Sequence, residues 1–395
     1  MKLNRRTMLA SSAAALAVGS SLGLGTGRAR AMGVHDDEIV IGSHLDLSGP
    51  VAAGMPMLRN AMQMRIDRAN ENGGIHGRRI RLIVEDNGSQ PQLAVRATQK
   101  LIRSDEVFGI INPFGSGTNA ATVGMATEEG RIVFAPWAAS NIMQQIAQNS
   151  PYLFTTVQNY HTTTGRALAW AINEWGAGRI GVIYQEGPFG DLIRGGVQMG
   201  LAEAGAGEVV AEAAYRGGDI DFSSQVARMR AAGVEVIIAG TIIRETVGVM
   251  AEVKRLGWDD VRVLTAIPGR GTLVARLGGE DVEGLYGIGG WRLHGPDTED
   301  EAAQAWLGDF REAYGMDADE NAANAWAYTS WFVDALEAAG RDLSADSFVE
   351  AARATRYADF TTFTELSFED NHAMPELVTV DQVQSGRWVP LTDPF

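Results

Sequence analysis

Two short loops carry most of the chemistry that can be read in this chain. Pro113-Phe114-Gly115-Ser116-Gly117-Thr118 and Pro136-Trp137-Ala138-Ala139-Ser140 each follow a short apolar run and lead into a helical pattern. Such loops present free backbone N–H groups and hydroxyls at a helix N-terminus, which suits a carboxylate or another polar head. Gly115, Ser116, Thr118 and Ser140 are the candidate contacts for that head, with Trp137 and Ala138 beside them as apolar surface. Ser116 and Thr118 equally suit plain helix capping, and Trp137 equally suits a core position.

Other chemistries find little footing. Gly115-Ser116-Gly117-Thr118-Asn119-Ala120 satisfies the glycine pattern of a dinucleotide fold. It follows the third strand rather than the first, however, and the next strand closes on Ala135-Pro136 with no acid, so an NAD(P)-dependent oxidoreductase is a remote alternative. His44, His161, His294 and His372 are too scattered for metal-ligand spacing, and no Gly-x-Ser-x-Gly elbow occurs. Metal and hydrolase chemistry therefore have no support in the sequence.

The loops require a scaffold of alternating strands and helices. Ile39–Leu45, Arg79–Glu85, Val107–Ile111 and Ile132–Ala135 read as strands, separated by helical stretches around Ala61–Asn70, Leu93–Ile102 and Asn119–Glu129. A second series runs through Ile180–Tyr184, Glu208–Tyr215, Val234–Ala239 and Val261–Thr265, with Asp221 as the N-cap of a helix ending at Gly233. Gln158–Thr164, which includes Tyr160 and His161, reads as a crossover, and Thr241-Ile242 follows a strand of the second series. Glu299–Tyr357 is helical in pattern, and Leu377–Val380 and Arg387–Val389 are strand-like. The fold class is α/β: two doubly wound parallel-sheet lobes joined by a multi-strand hinge. The expected boundaries are 32–157 with 290–358 for the first lobe, and 158–289 with 359–395 for the second.

These motifs resemble the type I periplasmic binding proteins of the leucine/isoleucine/valine-binding family. The resemblance rests on Ser48-Gly49-Pro50, Asn70-Glu71-Asn72-Gly73-Gly74-Ile75-His76-Gly77-Arg78, Glu85-Asp86 with Pro91 and Ala94, and Asp221-Phe222-Ser223 through Val236. It implies the periplasmic solute-binding component of an ABC importer, a monomer that is not an enzyme, needs no cofactor, closes on one small molecule and docks on an inner-membrane ABC permease. An exported ligand sensor for a receptor is the alternative. The resemblance also places Tyr160, Phe189, Thr241 and Arg270 at the cleft, and implies that the Ser116 and Ser140 loops hold a ligand carboxylate. The chain departs from the family pattern at Gly115 and Ala139, where hydroxyls are usual, and at Pro268, where an acid usually pairs with a ligand ammonium. With Arg270 as the nearby ionic group, the expectation is a carboxylate without an ammonium, on an apolar or aromatic body.

Charge and the N-terminus fit this reading. The chain of 395 residues has no cysteine and a formal net charge of −16, which repels phosphate backbones, so no nucleic-acid partner is expected. Asn4-Arg5-Arg6-Thr7-Met8-Leu9, an apolar stretch to Leu24 and Ala29-Arg30-Ala31 read as a twin-arginine-type signal over residues 1–31, cleaved before Met32. The expected location is the periplasm.

Overall fold

A computed structural model describes residues 31–140, 142–295 and 297–395. The twin-arginine leader lies outside the described residues, apart from Ala31. Strands and helices alternate from the start: β1 (Glu38–Leu45), α1 (Met55–Glu71), β2 (Arg79–Asp86), α2 (Pro91–Arg103), β3 (Gly109–Ile111), α3 (Ser116–Glu128), β4 (Ile132–Phe134), α4 (Ile142–Ile146) and β5 (Leu153–Phe154). These strands form one parallel sheet in the order β2-β1-β3-β4-β5. β1, β3 and β4 are almost wholly buried, as continuous apolar runs must be when helices cover both faces. The Asn70–Arg78 motif acts as a turn. Asn70 exchanges hydrogen bonds with the backbone of Ile80, and Gly74 takes a φ of +70°, where a Cβ would collide with the Arg78 carbonyl.

The second series follows: α5 (Tyr160–Trp175), β6 (Arg179–Gln185), α6 (Pro188–Ala204), β7 (Glu208–Tyr215), α7 (Ser223–Ala231), β8 (Val236–Gly240), α8 (Ile243–Arg255), β9 (Arg262–Thr265), α9 (Thr272–Gly278) and β10 (Tyr286–Gly289). Asp221 does its expected work one position early, accepting the Ser223 N–H while Phe222 holds the cap position. After α10 (Glu301–Tyr314), α11 (Glu320–Ala338) and α12 (Ala345–Ala354), the chain ends in β11 (Thr379–Gln384) and β12 (Arg387–Pro390). The second sheet has the order β12-β11-β10-β9-β8-β6-β7, with β11 and β12 antiparallel. It is thus mixed at one edge rather than wholly parallel.

Each sheet is covered on both faces. In the first lobe, Leu101, Val123 and Met143 fill one side. On the other side Phe134 meets the rings of Phe154, Trp331, Phe332, Phe348 and Phe368 at 5.4–6.4 Å. In the second lobe α5 and α6 cover one face, and Phe222, Val249 and Val274 the other. One boundary differs from expectation. Leu366, Phe368 and Met374, assigned by sequence to the second lobe, belong to the first lobe's aromatic core, and the return to the second sheet comes at Val378. The loop has no strand pattern of its own; it is held by isolated bridges from Leu366 to Tyr357 and from Ala373 to Thr155.

The chain therefore crosses between lobes three times: between Phe154 and Tyr160, between Gly289 and Trp291, and between Met374 and Val378. Among the described residues no helix is long and apolar enough to cross a membrane.

Candidate functional site

In both sheets the strand order reverses, beside β1 in the first and beside β6 in the second, and a crevice opens at such a point outside the carboxyl ends of the strands. A cavity of about 510 Å³ lies there, a size suited to a small molecule. Its first-lobe wall comes from the loops after β3 and β4 and from one face of α11. Ile242 and Ile243 at the start of α8, with Ile267 and Pro268 after β9, form the opposing wall, and Val157, Gln158, Gly290 and Trp291 on the crossings line its base.

Half of the expected site residues line this cavity: Gly115, Ser116, Trp137, Tyr160 and Arg270. The other half stand behind the wall. The Thr118 hydroxyl is spent on the Phe114 and Gly115 carbonyls, so capping of its own turn accounts for it. Ala138 is buried in the first lobe, and its neighbour Ala139 takes the lining position. Ser140 accepts the Ile142 N–H at 3.4 Å. Thr241 is fully buried, in a hydroxyl cluster with Thr246 and Thr265. Phe189 backs the Tyr160 ring edge-on at 5.1 Å and supports the wall without forming it.

α3 begins at Ser116 with Gly115 at its N-cap, and among the described residues no side chain caps it. The N–H groups of this first turn are thus open at the cleft, the arrangement that stabilises an anionic group. Around it stands an aromatic wall. Trp137 touches Phe114 and Tyr328, with centroids 6.3 and 5.9 Å apart, and Trp291 meets Tyr328 at 5.2 Å. The Trp137 indole N–H donates to Asn112 Oδ1 at 3.1 Å, and Asn112 donates in turn to Thr329 Oγ1 at 3.0 Å, so the ring is fixed from below. Burial pushes the Tyr160 hydroxyl up to about 12 and the Tyr328 hydroxyl higher still, leaving both neutral near pH 7.

Arg270 corrects an expectation. It lines the cleft, yet it is only 6% exposed and its guanidinium is committed: it donates to Asp381 and to the Trp291 carbonyl. Its charge is neutralised before any ligand arrives. The cleft instead carries an acid, Glu320, in the first turn of α11. One of its oxygens accepts the Thr272 hydroxyl at 2.7 Å and the Thr272 N–H at 3.3 Å, and burial followed by the nearby Asp319 raises its carboxyl above the ordinary range. No acid stands at Pro268, as the sequence reads, but a carboxylate, Glu320, lines the same cleft from α11.

The base of the cleft is underpartnered. Gln158 is 4% exposed, and among the described residues neither its amide nitrogen nor its amide oxygen has a hydrogen-bond partner. It lies flat on Gly290, where a Cβ would overlap the amide. Beside it, Glu376 on the third crossing accepts the Asn159 N–H on the first, at 3.1 and 3.0 Å from its two oxygens. Burial pushes the Glu376 carboxyl up to about 7. An acid whose folded pKa is raised stabilises the fold below its unfolded value and loses that contribution as pH rises through the folded one. Glu376→Gln keeps an acceptor for the N–H. It should flatten the fall in stability between its ordinary value of 4.5 and about 7, and raise stability at pH 8 by about 1–3 kcal/mol. Denaturant melts across that range check this; a variant whose pH profile matches the parent's would contradict it.

Two α/β lobes joined by three crossings around one aromatic cleft define a solute receptor. The chain belongs to the periplasmic binding protein family, whose model matches residues 38–387. It is 24% identical over 312 residues to the Leu/Ile/Val-binding protein homolog 2 of Brucella abortus, covering 77% of this chain and 79% of that one. A shorter match, 26% over 210 residues, links it to the Leu/Ile/Val-binding protein BraC3 of Rhizobium johnstonii and spans 51% of this chain and 54% of that protein. Among solved structures, an ABC-transporter solute-binding protein of R. palustris in complex with benzoate superposes with a TM-score of 0.74 at 20% identity, covering 90% of this chain and 95% of the other. Members of this family bind solutes rather than transform them, which removes the oxidoreductase alternative raised by the Gly115–Ala120 pattern.

Proposed function

We propose that this protein is the periplasmic substrate-binding component of an ABC importer and captures a small carboxylate-bearing solute by closing its two lobes. The observation that carries the reading is the cleft itself, a single cavity lined from both lobes and all but floored by the crossings. A ligand bridging the two walls makes more contacts in a closed form than in an open one, so binding shifts the population toward closure. The carboxylate rests on the uncapped first turn of α3 at Ser116, and an apolar or aromatic body lies against Phe114, Trp137, Tyr160 and Tyr328. The closed receptor, a monomer exported with its leader removed before Met32, then docks on an inner-membrane permease. The leucine/isoleucine/valine-binding names of the relatives and the benzoate of the R. palustris structure support a small ligand that bears a carboxylate.

The test begins with whatever ligand survives native purification. Once identified by mass spectrometry and returned to stripped protein, it should bind at one equivalent per chain and reduce the radius of gyration in small-angle scattering. A scattering profile unchanged at saturation overturns closure.

A further inference from the structure

We propose that Glu320 and Thr272 form a latch between the lobes, which holds the receptor largely closed before any solute enters and so sets how tightly a solute can bind. The proposal rests on the reading of the molecule as two lobes that open and close.

The two residues belong to different lobes. Glu320 opens α11, whose apolar face lies in the first lobe's core, and Thr272 opens α9, which packs in the second through Val274 and Ala275. Across the cleft one carboxylate oxygen of Glu320 accepts both the Thr272 hydroxyl at 2.7 Å and the Thr272 N–H at 3.3 Å. α9 starts from Gly271, which has no side chain to cap the turn, so the first N–H of a second-lobe helix is satisfied by an acid of the first lobe. Gly271 also makes room for that acid, since a Cβ there would stand 2.4 Å from the other carboxylate oxygen.

Other contacts between the lobes are weaker or lie on the crossings. Arg387 on β12 reaches Asp297 at 2.7 Å, but both side chains are more than half exposed, and such pairs contribute little. The Tyr160 N–H meets the Ala139 carbonyl only at 3.4 Å. The bond from Asn159 to Glu376 joins two crossings rather than two walls.

A hydrogen bond to a charged acceptor shifts an equilibrium by roughly 10- to 100-fold. Burial of the Glu320 carboxylate, which raises it above its ordinary range, offsets part of that gain. The latch is therefore expected to change the ratio of closed to open molecules roughly tenfold, the lower end. Apparent affinity follows the fraction of molecules already in the binding form, so the latch tunes affinity without touching the solute.

The experiment is a distance measurement between two nitroxide labels on the exported protein, stripped of solute by unfolding and refolding. The chain has no cysteine, so Val51→Cys on the first lobe and Ile220→Cys on the second, both exposed, take one label each. The parent should give mainly the short distance of the closed form. Thr272→Val and Glu320→Ala should each move population to a longer distance, with the closed-to-open ratio falling roughly tenfold. The double variant should go no further than the larger single change, because both remove the same bond. Thr272→Ser, which keeps the hydroxyl, should stay with the parent. Thermal unfolding identifies a variant that fails to fold; Thr272→Val, nearly isosteric, is expected to melt with the parent and carries the test on its own. A distribution unmoved by Thr272→Val, one that opens equally in Thr272→Ser, or a stripped parent that is already open overturns the latch. All of this is read on solute-free protein, so closure on solute binding stands or falls by the scattering test alone.

Discussion

Replacing Asp381 by alanine should lower the unfolding free energy by about 3–5 kcal/mol, the loss expected when one partner of a buried ion pair is removed. Asp381 is 1% exposed on β11 and receives two donors of Arg270, and among the described residues no other basic side chain pairs with it. Without it the Arg270 guanidinium is left buried with the Trp291 carbonyl as its remaining partner. A double variant, Arg270→Met with Asp381→Leu, should recover most of the loss, because apolar groups of similar volume carry no desolvation penalty. Equilibrium denaturation of both variants is the check. A cost below about 1 kcal/mol for Asp381→Ala would mean that water reaches the pair and that it behaves like a surface bridge.

Trp137→Ala should damage both the fold and the site, and Trp137→Phe should separate the two. The alanine variant removes a large ring from between Phe114 and Tyr328 and strands Asn112 Oδ1, a combined cost of about 3–5 kcal/mol in stability. If the ring is a central anchor for the ligand, affinity should fall by about 1–3 kcal/mol as well. Phenylalanine keeps an aromatic face and loses only the indole N–H. Its stability should fall by about 1–2 kcal/mol, the cost of an unsatisfied buried acceptor, with affinity little changed. Calorimetry on the ligand recovered from native protein decides the binding part. An alanine variant that folds and binds as tightly as the parent would show that Trp137 serves the first-lobe core alone.

The fold was legible because its signals are local. Strand runs, the Asn70–Arg78 turn and the prolines at helix starts act within a few residues of themselves, and their order along the chain encodes two wound sheets. The loops bearing Ser116 and Trp137 were legible for the same reason, since each follows its strand directly. Glu320 was not. A carboxylate at the start of a helix reads as a partner for the helix dipole, and nothing near it reveals that α11 lays one face along a cleft built mostly from residues before 291. Thr118, Ser140 and Thr241 stand behind the wall for a local reason too: the first two hydroxyls bond nearby backbone groups, and the third bonds the hydroxyls of Thr246 and Thr265. The Met374–Val378 return escaped notice because the preceding segment follows the first lobe's aromatic core without a periodic pattern.

The three crossings also govern when the molecule can fold as it is made. All five strands of the first sheet have emerged by Phe154, but the aromatic face of Phe134 is only partly covered until Trp331, Phe348 and Phe368 are synthesised. The second sheet waits longer still, since β11 supplies Asp381 to Arg270 and lies within the last 20 or so residues. Contacts this distant in sequence slow folding and leave apolar surface bare in the meantime. A nascent chain that has emerged only as far as Glu350 therefore carries a complete first sheet without Phe368 over its core and a second sheet without β11 and β12, open to proteases and chaperones.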